Sequence, residues 1–372
     1  MEKKRAVEVS IIVPAYNCER WLKETLTCLC GQAFDSYEII VVDDGSTDAT
    51  AEIAASFAAA CPKLRCLRQQ NSGAAAARNA GLESAQGRYC LFVDADDLFA
   101  PDLISRLYGA AQAGNADIAV CDAVAIDSAT LSPLHPIPGH AGLSEGMYTV
   151  DDAMRQRLFQ IFGAHPWDKL IRTDLIRRYG LRFQTLHHSN DTLFVLSALA
   201  MAHRISVVDE AMVRYRKGTA SSTRDGTVKA PLCDLIALDA LRSDLRRLGV
   251  LDRSLTRSLD NLCLDVVVWD IPVLAAASPE AVRAFQSVYL GEYESKWGLK
   301  GVSCPYIYSR SQCLSYGFMR RLTPEGLSWA CRIDRDPRIT GGRSRYEKAL
   351  LGVRLALAAA PLSPYRRETK DD

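Results

Sequence analysis

Tyr89-Cys90-Leu91-Phe92-Val93-Asp94-Ala95-Asp96-Asp97 decides how the rest of the chain is read. Tyr89 to Val93 is a short apolar run broken only by Cys90, the pattern of a buried strand. Where that strand should end, three carboxylates arrive within four residues. Asp is a poor strand former, and three acids this close raise one another's pKa, so the cluster costs stability unless something positive sits beside it. A hard divalent cation such as Mg2+ meets that need, because it takes carboxylate oxygens and keeps positions open for phosphate. Open α/β sheets place ligands at the carboxyl ends of their strands, which is where these acids fall. Taken alone, the same residues read equally well as a solvated acidic turn or an N-cap ahead of Leu98, Phe99 and Pro101.

Upstream, strands and helices alternate. Residues 7–13 are a β-branched run closed by Pro14. Residues 18–31 carry Trp21, Leu22, Leu26 and Leu29 at helical spacing, with Asn17 placed to cap them. Residues 38–42 form a second strand, and Asp43-Asp44-Gly45-Ser46-Thr47-Asp48 follows at once. There Gly45 supplies the turn, and Ser46 or Thr47 caps a helix over 49–60. Residues 64–67 are a short third strand. Asn71-Ser72-Gly73 then opens an alanine-rich helix that reaches 85 and stops at Gly87. This alternation predicts an α/β fold, a mostly parallel sheet with right-handed crossovers and helices on both faces.

Downstream the pattern changes. Residues 101–113 read as a helix and 117–125 as a strand. Residues 132–146, with three prolines and three glycines, read as a loop over the site. His165-Pro166-Trp167-Asp168-Lys169-Leu170-Ile171-Arg172 leads into a helix through 179, and 190–202 is another. Residues 204–208 and 212–216 read as a closing strand pair. From about 230 the chain is predicted helical, over 235–248 and 255–268, with Ser278-Pro279-Glu280 as an N-cap and a first-turn Pro. Tyr346, Leu350, Val353 and Leu357 fall on one helical face.

Composition narrows the classes. The 372 residues allow a sizeable core, one large domain and an appendage. The net charge of +1 hides an asymmetry: 18 Lys/Arg against 24 Asp/Glu in residues 1–200, and 27 against 20 in 201–372. Twelve cysteines contain no Cys-x-x-Cys, so buried free thiols in a reducing cytoplasm are expected rather than a disulfide or zinc framework. Met1-Glu2-Lys3-Lys4-Arg5 runs directly into a strand without a signal-peptide hydrophobic region, and no apolar run of about 18 residues predicts a membrane span. A dinucleotide fold wants Gly-x-Gly-x-x-Gly where Pro14-Ala15-Tyr16-Asn17 stands. A P-loop wants a Gly-Lys-Ser/Thr that the chain lacks.

Asp43/Asp44 and Asp94/Asp96/Asp97 each follow a strand of one sheet, so both clusters belong on one edge, where Tyr16 joins them. A ring to stack a base, Asp44 to accept from its edge, and a metal-binding pair against phosphate together make a nucleotide diphosphate site.

Four stretches, in order, closely resemble family 2 glycosyltransferases of GT-A fold. They are Val9-Ser10-Ile11-Ile12-Val13-Pro14-Ala15-Tyr16-Asn17; Ile40-Val41-Val42-Asp43-Asp44-Gly45-Ser46-Thr47-Asp48; Asn71-Ser72-Gly73 with Ala77-Arg78-Asn79-Ala80-Gly81; and Phe92-Val93-Asp94-Ala95-Asp96-Asp97. The resemblance covers about residues 7–125 and continues more weakly to about 220. It implies a Rossmann-like GT-A catalytic domain over 1–220, with nucleotide-sugar binding in 7–125 and the acceptor side in 126–220. A helical C-terminal region, 221–372, follows. The implied activity is inverting transfer of a sugar from a nucleotide donor, usually UDP-linked, to a glycan or lipid-linked acceptor in surface polysaccharide synthesis. Asp94-Ala95-Asp96 stands at the family's Asp-x-Asp motif. The resemblance makes Asp96 a direct ligand of Mg2+ or Mn2+, has Asp94 help hold ribose or metal, and counts Asp94 and Ala95 among the nucleotide-sugar contacts. Pro14, Tyr16, Asp44 and Arg78 fall on the family's nucleoside-contacting positions.

Inversion by direct displacement needs a base for the acceptor hydroxyl's proton. His187-His188-Ser189-Asn190-Asp191-Thr192-Leu193-Phe194 occupies the place where the family carries a Glu-Asp pair opening a helix, and Asp191 matches the base. Asn190 departs from the common Glu, which bears on the pKa of Asp191 or the choice of acceptor. A plain helix N-cap is the competing role for Asp191. Trp167-Asp168-Lys169-Leu170 resembles a segment placed beside the acceptor, with Trp167 a sugar-stacking ring or else a core residue. Arg214-Tyr215-Arg216-Lys217 resembles the segment that closes over the donor. Many members carry a His there, and its absence leaves Arg216 or Lys217 to meet the diphosphate. Residues 301–372, with 13 Lys/Arg against 7 Asp/Glu, could dock on an anionic bilayer and hold the protein at the inner face of the cell membrane. No nucleic acid partner is expected. A nucleotidyltransferase would need a Gly-rich, Lys-bearing loop after the first strand. A catalytically inactive nucleotide-sugar-binding scaffold would bind UDP without transfer, and intact Asp94, Asp96 and Asp191 argue against it.

Overall fold

Runs of Val, Ile and Leu that do not alternate with polar residues form strands buried on both faces, the habit of parallel sheets. In the computed structural model, which describes residues 7–218 and 223–300, these runs are β1 (Val9–Ala15), β2 (Tyr37–Asp43) and β4 (Tyr89–Phe92), while β3 (Leu64–Arg68) is a half-exposed edge strand that carries arginines. They lie parallel in the order β3-β2-β1-β4, with Ile12 level with Ile40 on one side and Phe92 on the other. The crossovers are α1 (Glu19–Cys30), α2 (Thr50–Ala60) and α3 (Ala74–Ser84). One core layer sets Val9, Ile11 and Val13 against Leu22, Leu26 and Leu29 of α1.

The sheet continues beyond β4. The remaining elements of this part are β5 (Leu98–Phe99), α4 (Leu103–Ala113), β6 (Ile118–Asp127), β7 (Pro133–Ile137), β8 (Gly146–Thr149), α5 (Asp152–Arg155), α6 (Leu158–Ile161), β9 (Lys169–Arg172), α7 (Thr173–Tyr179), α8 (Thr192–Met201) and β10 (Arg204–Lys217). The full order is β3-β2-β1-β4-β9-β6-β10-β5, with β7 paired to β6 and β8 to β10. The architecture is thus α/β with a mostly parallel centre, mixed toward its far edge.

Four local readings are corrected. β1 runs through Pro14 to Ala15, since a missing N–H is tolerated near a strand end and Asp44 N donates to Ala15 O at 2.8 Å. Residues 132–146 are not one open loop. Asp127 Oδ1 accepts from Thr130 N at 2.8 Å to fold the chain back, and β7, tolerant of prolines on its exposed side, pairs with β6. Residues 169–172 are a strand between β4 and β6, antiparallel to both, too short to separate by pattern from the helix that follows. The closing strand pair is a single strand, β10, interrupted between Val208 and Ala211 by a bulge that ejects Asp209 and Glu210. The cysteines among the described residues are free thiols, with Cys90, Cys121, Cys233 and Cys263 buried and Cys66 exposed.

The chain forms two compact units: among described residues, 7–218 with 240–255, and 223–239 with 256–300. The second is helical, with α9 (Thr223–Lys229), part of α10 (Cys233–Arg247), most of α11 (Arg253–Ala277), α12 (Pro279–Val288), a π-helical turn Tyr289–Tyr293 and α13 (Glu294–Lys296). Ser278 caps α12 as the sequence predicts, its Oγ accepting from Ala281 N at 3.1 Å. Trp297 donates to Asp239 at 3.1 Å and packs against Tyr293. No helix among the described residues is long and apolar enough to cross a membrane. The apolar face at 346–357 lies outside them.

Candidate active site

The carboxyl ends of β1, β2 and β4 bring Tyr16, Asp43/Asp44 and Asp94/Ala95/Asp96/Asp97 to one edge. Gly45, at φ 74°, makes the turn after β2, and a Cβ there would sit 2.9 Å from Asn71 N, so the neighbouring loop closes tightly over it. That closeness lets the Asp44 carboxylate reach across. Its Oδ1 accepts from Ser72 N at 2.9 Å and Gln69 Nε2 at 2.7 Å, and its Oδ2 from Gly73 N at 2.8 Å. Hydrogen bonds to a charged group contribute about 1.5–3 kcal/mol each, so Asp44 is a rigid acceptor that welds the loops after β2 and β3. Asn17 does not cap α1. Its Oδ1 accepts from Thr47 N at 2.9 Å, joining the loops after β1 and β2. Tyr16 stays half-exposed on this rim and Pro14 is partly buried behind it.

The acids after β4 take different roles. Thr25 Oγ1 donates to Ala95 O at 2.9 Å and Asp97 O at 2.8 Å, fixing the turn from α1, a contact with no signal in the sequence. Asp97 points inward and is fully buried, with Oδ1 accepting from Arg216 N at 2.9 Å. Burial, and then the charges of Asp94 and Asp96, hold its carboxyl well above the usual range. Asp94 and Asp96 stay partly buried at the rim.

Arg78, on α3, connects this rim to a segment more than a hundred residues away. Its Nη2 donates to Asp94 Oδ1 at 2.6 Å and its Nη1 to Asn190 Oδ1 at 2.9 Å, while its guanidinium lies 5.4 Å from the Phe183 ring. Asn190 therefore serves as a neutral acceptor for an arginine already paired with an acid. Asp191 follows it at the N-cap position of α8, where its side chain makes no capping hydrogen bond. The preceding turn is held by Ser189 at φ 54° and by a 2.9 Å contact between its Oγ and His188 Nδ1.

The segment assigned to the acceptor differs from expectation. Trp167 is buried, with His165 stacked at 4.7 Å and Tyr215 at 5.6 Å, so its ring has no face to offer a sugar. Lys169 is fully buried, its Nζ donating to Asp168 Oδ1 at 2.7 Å and His165 O at 3.0 Å. Lys169 is core because β9 is an interior strand, and Trp167, two residues ahead of it, belongs to the same hydrophobic core. Burial pushes the Asp168 carboxyl up to about 6 even beside Lys169. Burial, aided by Lys169 and Lys217, pushes the His165 imidazole down to about 3. Arg216 does not face a diphosphate either. It is buried, paired with Glu24, with its guanidinium 4.7 Å from the Trp21 ring. Lys217 is exposed, its ammonium 5.3 Å from the Tyr215 ring.

A parallel sheet with acids and an aromatic ring at its carboxyl edge, extended by antiparallel strands, is the GT-A glycosyltransferase fold. Residues 10–180 match the family model described as Glycosyl transferase family 2. The chain is 30% identical over 254 residues to a cholesterol galactosyltransferase of Borreliella burgdorferi, covering 65% of this chain and 69% of that one. It belongs to glycosyl transferase family 2. It is also 32% identical over 218 residues to the uncharacterized glycosyltransferase YibD of Escherichia coli, covering 58% of this chain and 63% of YibD's length. The fold resembles the crystal structure of Staphylococcus aureus TarS residues 1–349 in complex with UDP, with TM-score 0.53, 19% identity, 94% of this chain and 90% of that one.

Proposed function

We propose that this chain transfers a sugar from a nucleotide donor, UDP-linked, to a hydroxyl of a glycan or lipid-linked acceptor at the cytoplasmic face of the membrane, with inversion. Residues 7–125 bind the donor and 126–220 shape the acceptor side. The observation that supports this reading is the Arg78 bridge, because it ties Asp94 of the acidic rim to Asn190, the neighbour of Asp191 in the chain. Tyr16 stacks the base, Asp44 and Pro14 border it, and Asp94 and Ala95 line the ribose and phosphates. Asp191 takes the proton from the acceptor hydroxyl as the glycosidic bond forms.

The side chains at the rim fit a hard divalent cation, since both Asp94 and Asp96 offer carboxylate oxygens. Asp96, helped by Asp94, would hold Mg2+ or Mn2+, which when bound neutralises charge on the leaving diphosphate. Arg78 orients Asp94 while offsetting part of the rim's negative charge. The TarS structures described as complexes with UDP and with UDP-GlcNAc support a uridine donor, and the Borreliella relative's name supports a lipid acceptor.

The deciding experiment is a panel of nucleotide sugars, scored for UDP release with mixed glycan and lipid acceptors, with and without Mn2+. Metal-dependent release from one UDP-sugar is expected. UDP binding with no release from any donor would instead mark a scaffold.

A further inference from the structure

Asp122, His140 and Asp209, none of them among the acids that follow β4, lie together with one ligand atom from each within 4.8 Å of the others. Three elements deliver them. Asp122 comes from the middle of β6, and Asp209 from the bulge that breaks β10. His140 arrives on the chain leaving β7, where Gly139 passes so close to β6 that a Cβ would lie 2.0 Å from Cys121 O. Only glycine fits that approach, and the Gly139 N–H donates to Asp122 Oδ1 at 2.7 Å. His140 is 4% exposed, yet neither of its ring nitrogens makes a hydrogen bond. Its Nε2 instead faces Asp122 Oδ1 at 3.4 Å and Asp209 Oδ1 at 3.9 Å.

A buried imidazole left without hydrogen bonds is costly, and here it is aimed at two carboxylates. Ligands about 2.0–2.1 Å from a tetrahedral Zn2+ sit about 3.3 Å apart from one another. The His140–Asp122 separation already has that value. The His140–Asp209 separation needs only a small inward swing of a side chain that is 53% exposed on a bulge. One imidazole and two carboxylates suit Zn2+ far better than Mg2+, which demands an octahedron of oxygens.

We propose that Asp122, His140 and Asp209 form a Zn2+ site, with water in the fourth position, that clamps the chain after β7 onto the β10 bulge. It shares no residue with the Asp94/Asp96 rim and does not depend on the donor reading.

The test uses the full chain stripped by chelator and titrated with Co2+, the spectroscopic stand-in for Zn2+, followed by displacement with Zn2+. The parent is expected to develop the visible absorption of four-coordinate Co2+ and to lose it to Zn2+. Asp96→Ala keeps that band. His140→Ala loses it, and Asp209→Asn, changed at an exposed side chain, weakens Co2+ binding at least tenfold. If His140→Ala does not fold, Asp209→Asn decides. A parent without the band, a band equally strong in Asp209→Asn, or one abolished by Asp96→Ala would each overturn the proposal. The first outcome means that His140 is a plain ion-pair partner.

Discussion

Arg78 shows how much one side chain can carry. A lysine there could donate to Asp94 or to Asn190 but has no planar fork with which to hold both. Two outcomes are expected at this scale. Asp191→Asn should lower transfer by about 10²–10⁴-fold, the range for losing a general base, while UDP affinity by calorimetry stays within about twofold. Unchanged turnover would remove Asp191 from its assigned role. Asp96→Ala should abolish the Mn2+-dependent part of UDP binding, seen as calorimetric heats that no longer differ with and without the metal. The match of Asp191 and Asp96 to family motifs was open to reading from order and spacing alone. The occupation of Trp167 by two stacked rings was not, because Tyr215 comes from a strand nearly fifty residues later.

Strand β9 is the element whose chemistry was least legible. Its first residue, Lys169, forms a fully buried pair with Asp168 just before the strand, and removing one partner strands the other charge inside the protein. Lys169→Met or Asp168→Leu alone should therefore cost about 3–5 kcal/mol in urea unfolding, and the double Lys169→Met/Asp168→Leu less than the sum of the single changes. Additive costs would mean that the pair is not coupled.

His165, stacked on Trp167, is one of the groups that make stability pH-dependent. Its folded pKa, lowered to about 3, lies below the ordinary 6.5, so as pH falls through 6.5 the unfolded chain takes a proton that the folded chain refuses. Stability is lost in that direction, by up to about 1.4 kcal/mol per pH unit. Asp168 has the opposite sign. Its folded pKa is raised to about 6, so its contribution is present below about 4 and lost as pH rises through 6. His165→Phe, which keeps a stacking ring, should gain in Tm relative to the parent as pH drops from 7 to 4. A constant difference across that range would show that His165 does not stay neutral in the fold.

For the whole molecule, charge is divided along the chain, with an acidic surplus in residues 1–200 and a basic one after them. If the basic surplus of 301–372 serves a bilayer, the full chain should float with vesicles containing phosphatidylserine. Binding should fall steeply between about 50 and 300 mM salt, because the Debye length shortens more than twofold over that range, and a chain ending at residue 300 should float poorly. Equal flotation of both chains would assign the attraction elsewhere.

Sequence alone was enough for what depends on neighbours along the chain. The four parallel strands, their helices and the acids at the strand ends follow from apolar runs, turn glycines and local spacing. Tertiary structure decided whatever depends on partners distant in sequence. It placed β9 inside the sheet and merged two expected strands into β10. It turned Asp97 and Arg216 inward, paired Arg78 with Asn190, and brought Asp122, His140 and Asp209 together. The physical reason is that burial and pairing, not residue type, set which charged groups stay at a surface. Both are properties of the packed sheet rather than of any short stretch of chain.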